Sequence, residues 1–71
     1  MANITYIEVF EYLDDLRESG AVNMFGAAIY VSDHFDLHIG LARGMVSAWM
    51  ETFDSNIPAA ERVERYLQEQ G

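Results

Sequence analysis

Apolar side chains recur at helical spacing in four stretches of this 71-residue chain, with short polar breaks between them. In the first stretch Tyr6, Val9, Phe10, Leu13 and Leu16 share one side of a 3.6-residue period, while Glu8, Glu11, Asp14, Asp15 and Glu18 gather on the other. Thr5 and Glu8 have capping-box spacing, flanked by Ile4 and Val9 as a hydrophobic staple, so a helix is expected over residues 6–18. Ser19-Gly20 ends it, because glycine suits the left-handed position after a last turn.

Asn23 is the candidate N-cap of a second helix over 24–35, in which Met24, Phe25, Ala28, Ile29, Val31, Ser32 and Phe35 form a wide arc. Gly26, Ala27 and Ala28 carry little bulk and predict a tight helix crossing near its start. Asp36-Leu37-His38 reads as a turn into a third helix over 39–53. There Leu41, Ala42, Met45, Val46, Ala48, Trp49, Met50 and Phe53 make this the central, most apolar element. Its remaining face carries Gly40, Arg43, Gly44, Ser47 and Glu51, a candidate interaction surface whose small residues would admit another helix at short distance. After the Asp54-Ser55-Asn56 break, Pro58 fits a first helical turn, and a fourth helix over 57–68 carries a narrow stripe of Ala59, Val63, Tyr66 and Leu67. Glu61 precedes Arg65 in the favourable i, i+4 order. With no strand pattern, repeat or linker, the expected fold is all-α. It is one domain, a small bundle of three to four short helices, with a helix-turn-helix-like hairpin across which the first helix packs.

Composition narrows this picture. Area scaling allows about 4,500 Å² of folded surface, so about 60% of the chain's surface can be buried and a monomer is marginal. The absence of cysteine excludes a disulfide framework and a thiolate zinc site, which fits a cytoplasmic location. No apolar run approaches the length of a membrane span, and the first residues lack the signature of a signal peptide. A soluble, unprocessed protein is expected. Half the residues are apolar and nine are aromatic, which excludes a disordered chain. Twelve acids face four arginines and no lysine, for a net charge of −8, so non-specific adhesion to nucleic acid is disfavoured. Residues 1–36 hold seven acids and one arginine, which assigns most of that charge to the first helix and the turn.

Candidate chemistry is sparse. Asp33, His34, Asp36 and His38 have metal-ligand side chains, but the turn separates the two histidines, and helix-end capping is the simpler role. No metal site and no cofactor is expected. Glu8, Glu11, Asp15 and Glu18 form an acidic ridge, read first as a solvated face and second as a surface for a basic partner. None of Ser19, Ser32, Ser47 or Ser55 lies in a nucleophile turn, there is no Cys-His pair, and Gly40 and Gly44 lack the tail of a phosphate loop. Enzymatic activity and catalytic residues are therefore not expected. Residues 24–50 have the elements of a helix-turn-helix, with Asp36 where glycine usually stands. Arg43 alone on the outer face is a thin basic footprint for DNA.

The run Tyr12-Leu13-Asp14-Asp15-Leu16-Arg17-Glu18-Ser19-Gly20 followed by Asn23-Met24-Phe25-Gly26-Ala27-Ala28, with Phe35-Asp36-Leu37, Ala42 and Trp49-Met50 further on, resembles a pattern in small uncharacterised proteins of tailed bacteriophages. Asp36-Leu37-His38 departs from the glycine-leucine-serine often found at that turn. The resemblance implies a phage or prophage product acting in the host cytoplasm and brings no catalytic residue with it. Because the third helix carries more apolar surface than its short neighbours can cover, self-association is expected. The leading expectation is a homodimeric protein-protein interaction module that meets a host protein, with no membrane partner. The alternative is a helix-turn-helix protein that binds DNA or modulates transcription through Arg43 and Arg17.

Overall fold

Four helices, α1 (Ala2–Ser19), α2 (Ala27–Phe35), α3 (Ile39–Thr52) and α4 (Ala59–Gln70), make up the fold. The computed structural model describes residues 2–20 and 26–70, and among these there is no strand. The fold is therefore the expected small all-α bundle. Its accessible surface is 4730 Å², close to the value that chain length dictates. The radius of gyration of 11.2 Å matches the roughly 11 Å expected of a compact domain this size.

The stripe on α1 places Val9, Phe10 and Leu13 fully inside the core. The helix begins four residues before Tyr6, so Thr5 lies within it and the capping-box reading fails. Amides near Glu8 are already bonded one turn back and leave nothing for a Thr5 hydroxyl to cap. At the other end Gly20 adopts φ +65, and its amide donates to the Leu16 carbonyl at 3.2 Å, as a left-handed glycine terminus requires. The Asn23 cap and the first residues of the expected second helix lie outside the described residues.

In α2, Ala27, Ala28 and Val31 face the core, whereas Ile29 and Tyr30 are 67% and 47% exposed. The expected wide apolar arc is corrected here: Ile29 stands roughly 200° around the helix from Ala27, and one short helix lying on α3 buries one face only. Ala27 is fully buried, whereas a Cβ built on Gly26 meets nothing within 4 Å among the described residues, so Gly26 marks no close approach there. The chain then reverses through Asp36, which adopts φ 54 and ψ 50, the left-handed conformation for which glycine is the usual choice. Ser32 locks that reversal. Its carbonyl accepts the Leu37 amide at 3.0 Å, and its hydroxyl donates to the Leu37 carbonyl at 2.6 Å.

His38 caps α3, its Nδ1 accepting the Gly40 amide at 3.0 Å. Ala42, Met45, Val46, Ala48 and Trp49 then form the centre of the core. α3 ends at Thr52, and Phe53 beyond it is extended with its ring 5.1 Å from Trp49. Asp54 builds the next turn by accepting the Asn56 amide at 2.9 Å on its carboxylate. Pro58 sits just outside α4, not in its first turn, and its carbonyl accepts the Glu61 and Arg62 amides at 3.1 Å each. Ala59 and Val63 are buried, with Tyr66 and Leu67 packed at the edge, so the narrow stripe of α4 is used within this chain. α2 and α3 pack as the expected hairpin. α1 packs on α3 and more extensively on α4, with Tyr6 and Tyr66 6.3 Å apart.

Candidate functional site

The outward face of α3 follows from its periodicity. Once Ala42, Met45 and Trp49 turn inward, Gly40, Arg43, Gly44, Ser47 and Glu51 must face out, and all five are exposed. A Cβ built on Gly44 meets no atom within 4 Å among the described residues, so none of these occupies the surface above it. Gly40 differs, because a Cβ there would lie 3.2 Å from the capping Nδ1 of His38. Leu41 and Met50 border the face at 47% and 45% exposure. Trp49 at 3% and Met45 at 2% are covered, so the expected apolar excess of α3 shrinks to its two margins.

Glu8, Glu11, Asp15 and Glu18 are all exposed along α1. Asp14 does not belong with those acids. It turns inward, where Oδ1 accepts from Trp49 Nε1 at 2.8 Å and Oδ2 accepts from Arg62 Nη2 at 2.5 Å. Arg62 is 3% exposed, and its Nε donates to the Ile57 carbonyl at 2.9 Å. Its Nη1 is buried without a hydrogen-bond partner among the described residues. The Phe53 ring lies beneath two guanidinium groups, Arg17 at 4.5 Å and Arg62 at 5.3 Å. Sequence reasoning missed this cluster. One signal was available: Arg62 stands one turn before Tyr66 on the buried stripe of α4, and a buried indole N–H and guanidinium both demand an acceptor.

The arginines consequently do different work. Arg62 is internal, Arg65 pairs with Glu61 at 3.4 Å on the surface of α4, and Arg17 lies over Phe53 at the far end of α3 from Gly40. Only Arg43 stands on the outer face of α3, and it forms no ion pair among the described residues. The histidines also separate. His34 stacks on Tyr12 with ring centroids 4.5 Å apart, and His38 spends Nδ1 on the helix cap. Among the described residues no three His, Asp or Glu side chains are gathered as a metal site would need. No helix among them is long and apolar enough to cross a membrane.

No family model, curated protein or solved structure matches the chain.

Proposed function

We propose that the chain is a small acidic interaction module that pairs with a second copy of itself through the outer face of α3 and engages another protein. The resemblance in its sequence points to a tailed-phage product working in the host cytoplasm. One observation carries the reading: the open surface over Gly44, continuous with exposed Arg43, Ser47 and Glu51 and bordered by half-exposed Leu41 and Met50. A residue without a side chain on an exposed helix face weakens the isolated helix, and it offers a partner helix close backbone approach in return. Light scattering across a concentration series tests the pairing. A dimer that Gly44→Leu converts to monomer, with unchanged helical content, is the expected result. A monomer at every concentration, with no host protein retained in a pull-down, overturns the reading.

The α2–α3 geometry favours a second reading, in which α3 enters DNA. A three-residue turn with a left-handed first residue joins the helices, and Arg43 faces outward from the second. That reading requires duplex binding that weakens steeply with salt and with Arg43→Ala. No binding at low salt excludes it.

A further inference from the structure

We propose that the groove between the outer face of α2 and the α2–α3 turn docks a basic amphipathic helix of another protein. Ile29 and Asp33 lie one turn apart on α2, Asp36 begins the turn that follows, and together with Leu37 and Ile39 they line an open groove of about 600 Å³. Ile29, at 67%, is the most exposed large apolar side chain among the described residues, and Tyr30 stands next to it at 47%. The wall thus alternates apolar surface with carboxylates and contains no cation. Asp33 and Asp36 form no ion pair among the described residues.

Charge complementarity selects the occupant. A groove lined by both aliphatic side chains and carboxylates is matched by a helix whose aliphatic side chains repeat at i, i+3, i+4 and i+7 and whose flanks carry lysine or arginine. A second copy of this chain supplies the match poorly. It has no lysine, Arg62 is internal, Arg65 is paired and Arg17 lies over Phe53, which leaves Arg43. DNA is repelled by the same two carboxylates. The residues that line the groove include none of Gly40, Arg43, Gly44, Ser47 and Glu51 of the α3 face.

This inference rests on the interaction-module reading and names the chemistry of the other partner. The test titrates a synthetic Leu/Lys amphipathic helical peptide, and its Leu/Glu counterpart, into the ¹⁵N-labelled full chain. Shifts centred on Ile29, Asp33, Asp36, Leu37 and Ile39 with the Leu/Lys peptide alone are expected. Asp33→Asn with Asp36→Asn should weaken binding about tenfold, while Glu64→Gln with Glu69→Gln, an equal change in net charge, weakens it by less than about twofold. Asparagine tolerates the left-handed conformation at position 36, so the first variant keeps the turn. Equal weakening by both variants, shifts centred on the Glu8–Glu18 ridge, or no binding overturns the proposal. Light scattering on the same samples separates the two readings: a dimer whose groove stays silent removes this inference and leaves the self-pairing intact.

Discussion

At Asp14 one carboxylate of α1 accepts from Trp49 on α3 and Arg62 on α4, so a single side chain ties three helices together. Removing it leaves a buried guanidinium and a buried indole N–H without their acceptor. Asp14→Ala is therefore expected to cost about 3–5 kcal/mol in urea unfolding. A domain of this length has about 4–11 kcal/mol in total, so much of its stability depends on that one carboxylate. Arg62→Met should cost less, because it removes the buried charge and its unpartnered Nη1 together, while Asp14 keeps Trp49 and some contact with water. Equal losses for the two variants would contradict this asymmetry. Asp36→Gly should stabilise by about 0.5–1 kcal/mol, since glycine adopts φ 54 freely and the change removes a negative charge from the C-terminus of α2. His38→Ala should lose about 1 kcal/mol by freeing the Gly40 amide, and His38→Asn should restore most of it.

Among the elements, α3 shows most directly how a helix divides its surface. Its inner half is filled by Ala42, Met45, Val46 and Trp49, and its outer half is left small around Gly44. In a monomer Gly44→Ala gains about 0.8–1 kcal/mol of helix propensity and meets no steric obstacle. In a close-packed dimer the same methyl group stands in the interface and lowers association. Thermal melting at low and high protein concentration reads both effects, and a gain at low concentration that reverses at high concentration is expected. The expected and observed helices coincide at the end of α2 and the start of α3 and differ by one to four residues at the other described ends. Those ends depend on which amides are left over, as Thr5 and Pro58 illustrate: one lies inside α1, the other just before α4.

For the molecule as a whole, the net charge of −8 opposes compaction, and ion pairs relieve little of it, because Arg65–Glu61 is exposed and Arg62–Asp14 is largely internal. Added monovalent salt screens the repulsion between surface acids more than it weakens the internal pair. The melting temperature is expected to rise by about 5 °C from low to physiological salt, and a fall would mean that surface ion pairs dominate.

Periodicity, chain length and composition were sufficient for a small all-α bundle of three to four helices and for the exposure of Glu8, Glu11, Asp15 and Glu18 and of Gly40, Arg43, Gly44, Ser47 and Glu51. Each of these depends on neighbours within a few turns or on totals over the chain. The exposure of Ile29, the coverage of Trp49 and the inward turn of Asp14 depended instead on where α2, α3 and α4 lie against one another. An acid on the edge of a helix stripe can serve solvent or core equally well by spacing alone. Packing decided for the core at Asp14, because Trp49 and Arg62, 35 and 48 residues away, brought two buried donors to the same place.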